Sequence, residues 1–233
     1  MSAIGRLVLD PAPSLRDRRV LISGGSRGIG KALALAFLKD GAKVATCARR
    51  EGDLDPLRKA GALAQAADVT DERAVRDLVE RIHRDWGGLD VLINNAAVLY
   101  KGRLLDQPLD EWLETLDNNL TAPLILTRAA LGIMTGGSIV NVTSGLARVA
   151  LEGYGAYGVS KAGLDMLTRA LALELGAAFR VNALDPGVAR TRMNLETDED
   201  PVSVVPIARA LAALGPDGPT GLCFGKDGLE RPW

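Results

Sequence analysis

Short apolar runs alternate with segments of helical periodicity along almost the whole of this 233-residue chain. That alternation restricts the fold more than any other feature, because strand-helix-strand units bury both faces of a parallel sheet beneath helices. Arg19–Ser23 reads as a first buried strand, followed by glycines and a helix over Lys31–Asp40 that Gly41 ends. Further strands are predicted at Lys43–Cys47, Leu63–Ala67, Val91–Ile93, Ser138–Thr143, Arg180–Leu184 and Leu222–Phe224. Between them lie helices over Asp71–Trp86, Asp110–Leu131 with a kink at Pro123, Tyr157–Leu175 and Val202–Leu214. In the first of these, Ala74, Val75, Leu78, Val79 and Ile82 share one face. The expectation is an α/β domain over residues 18–233, doubly wound, with a seven-stranded, mostly parallel sheet and helices on both faces. Residues 1–17 lack a sustained apolar stretch and read as an extra surface segment rather than an address, so the cytoplasm is the expected compartment.

Composition removes several function classes. With 28 Lys+Arg against 29 Asp+Glu, the net charge of −1 offers no general attraction to nucleic acid or an anionic membrane. Two cysteines, Cys47 and Cys223, form no framework and read as inert buried thiols, while one histidine cannot build a histidine metal site. That histidine, His83, is expected to face solvent. The acidic run Glu196-Thr197-Asp198-Glu199-Asp200 lacks the spacing of a calcium loop and reads as a solvated loop.

Ser23-Gly24-Gly25-Ser26-Arg27-Gly28-Ile29-Gly30 joins the first strand to the first helix. Glycine permits close backbone approaches, and a helix start presents free N–H groups with partial positive charge, so this turn is expected to cradle a diphosphate. Gly24, Ser26, Arg27, Gly28, Ile29 and Gly30 are the candidate contacts. The spacing, G-x-x-x-G-x-G, departs from the commoner G-x-G-x-x-G. An acid about 20 residues on would bind a ribose 2′-hydroxyl. Here that count reaches Ala48, followed by Arg49 and Arg50. Arg49 with Arg27 suits a 2′-phosphate, since a guanidinium pairs bidentately with phosphate oxygens. NADP(H) is expected over NAD(H), which stays possible.

Tyr157 and Lys161 stand four residues apart on a predicted helix and so share a face. A phenol is a poor acid at neutral pH, and a nearby cation is expected to lower its pKa and make it useful. Ser144 follows the fifth strand and Asn94-Asn95-Ala96-Ala97 the fourth, both at the sheet edge where ligands of open parallel sheets bind. With Asp68-Val69, Asn119-Leu120, Pro186-Gly187 and Thr191, and with Ser144 thirteen residues before Tyr157, the chain over residues 18–233 resembles the short-chain dehydrogenase/reductase family, in its carbonyl-reductase-like branch.

The resemblance implies a Rossmann-type fold and hydride exchange between a nicotinamide and a small carbonyl or alcohol substrate. It implies that Tyr157 moves the proton, that Lys161 holds the nicotinamide ribose and depresses the tyrosine pKa, and that Ser144 binds the substrate oxygen. Asn119 would hold a relay water linking Lys161 to solvent. Asp68 and Val69 would take the adenine, Asn95 and Ala96 the ribose path, and Pro186, Gly187, Val188 and Thr191 would close over the nicotinamide. A homodimer or homotetramer is implied, with monomers known among similar reductases. Ser23 stands where threonine is usual, Ala97 where glycine is common, and Asp185 where many relatives have a small or amide residue. The C-terminal stretch Asp217–Gly221 with Pro232-Trp233 is similar to carbonyl reductases. The chain therefore reads as an NADPH-dependent reductase of aldehydes or ketones. The alternatives are an NAD-dependent secondary-alcohol dehydrogenase and a cofactor-binding protein without turnover. Epimerase or dehydratase chemistry shares the tyrosine and lysine, yet little chain follows Lys161 to build the larger substrate domain those relatives carry. Arg148 and Tyr100 are within possible reach of substrate but read as ordinary surface residues.

Overall fold

Arg19–Ser23 forms β1, in which every residue after Arg19 is buried. The computed structural model describes residues 5–7, 13–191, 193 and 196–233. After β1 come α1 (Gly28–Lys39), β2 (Lys43–Ala48), α2 (Asp55–Lys59), β3 (Leu63–Ala66), α3 (Glu72–Trp86) and β4 (Val91–Asn94). The second half runs α4 (Leu109–Leu116), α5 (Ala122–Leu131), β5 (Gly137–Val142), α6 (Gly155–Leu175), β6 (Phe179–Asp185), α7 (Val205–Ala212), β7 (Cys223–Gly225) and β8 (Glu230–Arg231). The strand order is β3-β2-β1-β4-β5-β6-β7-β8, parallel throughout except that β8 runs antiparallel to β7. The chain leaves β1 for β2 on one side and returns to β4 on the other, so a crevice opens at the carboxyl ends of β1 and β4.

Strand alternation divides the core into two layers. Val20 and Ile22 point to the face covered by Leu33 and Phe37 of α1, Leu57 of α2 and Ile207 and Leu211 of α7. Leu21 points to the opposite face with Cys47, Leu92 and Ile139, beneath Leu78 and Ile82 of α3, Leu126 of α5 and Leu171 of α6. Asp71 caps α3, its carboxylate accepting from the Arg73 and Ala74 amides, and Gly87 ends that helix in the left-handed region. No described helix is long and apolar enough to cross a membrane.

Four expectations are corrected. The sheet has eight strands, not seven: Asp227-Gly228 turns the chain back, Gly228 at φ +78°, and Glu230–Arg231 pairs with Phe224 and Cys223. The helix expected over Asp110–Leu131 is helical throughout but is divided into α4 and α5 by a π-helical turn at Asp117–Thr121. Pro123 follows that turn, in the first turn of α5. The loop between β2 and β3 holds α2, which was not expected. In the leader, Leu15 is fully buried in the first core layer, and Leu7 donates its amide to the Gly228 carbonyl at 2.9 Å. Leu15 and Leu7 pack against the core rather than lying free on the surface, because an apolar side chain gains from burial. The rest of the leader, residues 1–4 and 8–12, lies outside the described residues, as do residues 192, 194 and 195 of the segment after Thr191.

Candidate active site

The turn after β1 is tied down from both sides. The Gly24 and Gly25 amides donate to the Cys47 carbonyl of β2 at 2.9 and 3.2 Å. A Cβ on Gly30 would stand 2.4 Å from the Gly24 carbonyl oxygen and 2.5 Å from Asn95 Nδ2, so the first turn of α1 packs closer to the loop than any side chain permits. Asn95 donates its amide to the Ser23 and Gly24 carbonyls at 2.9 and 3.3 Å, and Ser23 Oγ accepts from the Asn95 and Ala96 amides at 3.0 Å each. Asn95 thus braces the glycine turn. The first turn of α1 has no side-chain cap and no acidic residue, which leaves its N–H groups and partial positive charge to the crevice.

A cleft of about 500 Å³ runs along the carboxyl edge of the sheet. By sheet order the residues after β2 and β3, Arg49, Arg50, Asp53, Asp68 and Val69, line one end, and Val142, Thr143, Tyr157, Lys161 and Pro186 line the other, with Arg27 of the glycine turn and Thr191 also in the wall. Between the ends lie Gly24, Ser26, Gly28, Ile29, Asn95 and Ala96. Gly187 and Val188 are not in this wall, and Val188 is exposed. Asp68 Oδ1 accepts from the Thr70 amide and hydroxyl at 3.0 and 2.8 Å, which fixes the turn after β3. Sequence reasoning missed Asp53, which lines the arginine end although no carboxylate was expected there. A short helical turn after β2, Glu51–Leu54, carries it back to the cleft. Arg49 also contacts Glu114 of α4, at 3.4 Å.

Lys161 is buried on α6 and donates to the Val142 carbonyl at the end of β5 at 2.8 Å. Its Nζ lies 5.7 Å from the centroid of the Tyr157 ring, against the ring face. Burial pulls the ammonium down to about 8, with Asp165 acting the other way. The Tyr157 phenol is pushed up to about 12, chiefly by burial, with the Ser144 hydroxyl lowering it and Asp185 raising it. Burial is the largest influence on the phenol, and the Lys161 Nζ is held by the Val142 carbonyl beneath the ring. Ser144 itself starts a short turn, its Oγ accepting from the Leu146 amide at 3.2 Å.

Asn119 is fully buried in the π-turn. Its Oδ1 accepts from the Val98 amide at 2.8 Å, and its Nδ2 donates to the Val98 carbonyl and to Ser160 Oγ at 2.9 and 3.1 Å. The side chain is committed to joining the loop after β4 to α6, with both amide hydrogens used. Tyr100 donates to Glu114 at 2.6 Å. Cys47 and Cys223 are buried, their thiols pushed up to about 11 and about 12 chiefly by burial, and His83 is exposed.

A model of the short chain dehydrogenase family matches residues 18–202. The chain belongs to the short-chain dehydrogenase family. This dehydrogenase is 36% identical over 183 residues to an uncharacterized oxidoreductase of Mycobacterium tuberculosis, a match covering 74% of this chain and 70% of that one. It resembles the short-chain type dehydrogenase/reductase of Mycobacterium marinum with a TM-score of 0.85 and 30% identity, over 95% of this chain and 98% of that one. A short-chain dehydrogenase of Shigella flexneri, solved complexed with NADP, gives a TM-score of 0.85 and 26% identity over 92% and 99%. A dinucleotide suits the cleft of this dehydrogenase on its own terms: uncapped helix amides in the middle, guanidiniums at one end, a phenol and ammonium at the other.

Proposed function

We propose that the protein reduces an aldehyde or ketone to an alcohol with NADPH, with Tyr157 as the general acid. The observation that carries this reading is the stack of Tyr157 over Lys161 in the wall of a cleft whose far end carries Arg49 and Arg50, with Arg27 also in its wall. A phenol held up at about 12 keeps its proton at neutral pH, the state a donor to a nascent alkoxide requires. Ser144, a neighbour of the phenol, would hydrogen-bond the same substrate oxygen. Lys161, still mostly charged at neutral pH, adds positive charge beneath the ring and is the group to hold the nicotinamide ribose. Bound NADPH supplies the hydride; the loop Gly24, Ser26, Arg27, Gly28, Ile29 and Gly30, with Asp68, Val69, Asn95, Ala96, Pro186 and Thr191, would hold it. Gly187 and Val188 belong to the same turn and would join it there. Asn119 enters the reading as the brace that sets α6 against the loop after β4, and a relay water would be held by its free lone pair or its backbone.

Incubation with NADPH and a panel of aldehydes and ketones, followed by nicotinamide absorbance, tests the reaction; a protein that binds NADPH but oxidises it with no carbonyl is not this enzyme. Asp53 in the arginine end favours the second reading, an NAD-dependent alcohol dehydrogenase. Arg49→Ala separates the two: NADPH affinity should fall about tenfold or more while NADH affinity changes little. Equal losses in titrations of both nucleotides would favour NAD(H).

The proposal extends to a homodimer or homotetramer in the cytoplasm. Leu109 and Leu113 of α4 and Met166 and Leu173 of α6 are exposed in the single chain, while Leu164 and Leu171 belong to the core. Light scattering reads the assembly directly.

A further inference from the structure

Arg148, which reads in sequence as a surface residue, is largely buried and holds three parts of the site together. It directly follows the short turn that Ser144 starts, its amide donating to the Gly145 carbonyl at 3.0 Å. One arm of its guanidinium donates to Asp165 Oδ2 at 3.1 Å and the other to Asp185 Oδ2 at 2.5 Å. Asp165 lies one helical turn beyond Lys161 on α6; Asp185 ends β6, and its Oδ1 accepts from the Gly187 amide at 3.0 Å. The same arginine nitrogen that reaches Asp165 also lies 3.4 Å from the buried Cys223 sulfur. The two carboxylates are 6% and 8% exposed, so neither has the water that would otherwise stabilise its charge.

We propose that Arg148 is a positioning residue: shared between Asp165 and Asp185, it fixes the Ser144 loop and the Pro186-Gly187 turn against the Tyr157 helix and offsets two buried negative charges, Asp185 near the phenol and Asp165 near Lys161. This rests on the reductase reading for its kinetic consequences. The geometry requires a guanidinium, since only its planar fork reaches two carboxylates from different elements at once. The titratable and charged groups that face Asp185 come from several neighbouring elements: Arg148 from the Ser144 loop, Tyr157 and Asp165 from α6, Cys223 from β7 and Arg231 from β8, while Lys161 of α6 faces Asp165. Of these, Arg148 is the cation in direct contact. Asp185 in turn disfavours ionisation of Tyr157, so the clamp reaches the acid electrostatically as well as mechanically.

The test compares full-length wild type, Arg148→Met, Asp185→Asn and the double variant. Asp185→Asn keeps an oxygen for the Gly187 amide and removes only charge, so it stays informative should Arg148→Met fail to fold. Reduction needs both a protonated Tyr157 and a charged Lys161, so its alkaline limb is set by the group that titrates first, Lys161 at about 8, and a nearby charge moves that limb in the same sense for either group. Removing the Asp185 charge should move that alkaline limb of kcat/KM to lower pH by about half a unit or more, and removing the Arg148 charge should move it higher. In Arg148→Met, kcat should also fall roughly ten- to a hundredfold with the carbonyl KM nearly unchanged, and the double variant should recover part of the loss. Limbs that coincide with wild type, or that move in the same direction in both variants, overturn the proposal. If wild type binds NADPH without reducing any carbonyl, the reductase reading fails by itself. The clamp is then judged by tyrosinate absorbance, each protein against its own Tyr157→Phe version, where the same opposite shifts are expected and their absence refutes it.

Discussion

Tyr157 and Lys161 are four residues apart on one helix, and their chemistry is set by what surrounds them. Tyr157→Phe keeps the ring and its packing but removes the proton, so carbonyl reduction should fall roughly 10²–10⁴-fold with NADPH affinity unchanged in a fluorescence titration. Lys161 makes a prediction about stability. Its ammonium is brought from 10.5 down to about 8, mainly by burial. Below about pH 8 the native state carries the full cost of the buried charge. From there to about 10.5 the unfolded chain binds a proton the native state has released, so stability rises with pH across that window. Lys161→Met lacks this term. The wild-type unfolding free energy should therefore gain on the variant by up to roughly 3 kcal/mol between about pH 7.5 and about pH 10.5. Urea denaturation of both proteins at the two pH values checks it; a difference that does not vary with pH would contradict it. This pair was legible in the sequence because an i, i+4 relation is local. Arg148 was not, since its partners are 17 and 37 residues away and become neighbours only when α6 and β6 pack on the Ser144 loop.

The glycine turn and the bend between α4 and α5 place the site. Gly30→Ala would drive a methyl into the Gly24 carbonyl and the Asn95 amide, displacing the brace that Asn95 makes. A loss of about 1–3 kcal/mol is expected in chemical denaturation, together with loss of NADPH binding, because the amides of α1 move with the loop. Normal stability and affinity in this variant would show that the close approach is dispensable. The glycines and their place between a strand and a helix were readable because they are consecutive. The π-turn was not: apolar periodicity continues through Asp110–Leu131, and Pro123 marks a disturbance without saying that the turn before it widens. The widened turn carries Asn119, whose amide finds Val98 and Ser160 only through tertiary packing. Strand β8 escaped for a different reason, since two residues give too little pattern to call a strand.

Across the whole molecule, the two core layers extend beyond the region of family resemblance. Leu15, before β1, is fully buried with Phe37 and Leu57. Leu15→Ala should cost about 2–5 kcal/mol in urea denaturation, as a core leucine does; a change under about 0.5 kcal/mol would return this segment to the surface. The family match to residues 18–202 and the eight-stranded sheet agree on the architecture that the alternating pattern implied. The sequence by itself determined the class of fold, the alternation of its first seven strands with the longer helices, and the glycine, tyrosine and lysine positions, because periodicity, turn chemistry and helical spacing act over a few residues. Tertiary structure alone decided that Arg148 is largely buried between Asp165 and Asp185, that Asp53 joins the arginines in the cleft, and that burial is the largest influence on the Tyr157 phenol. Those outcomes depend on which distant groups exclude water from one another, and desolvation is a property of the packed whole.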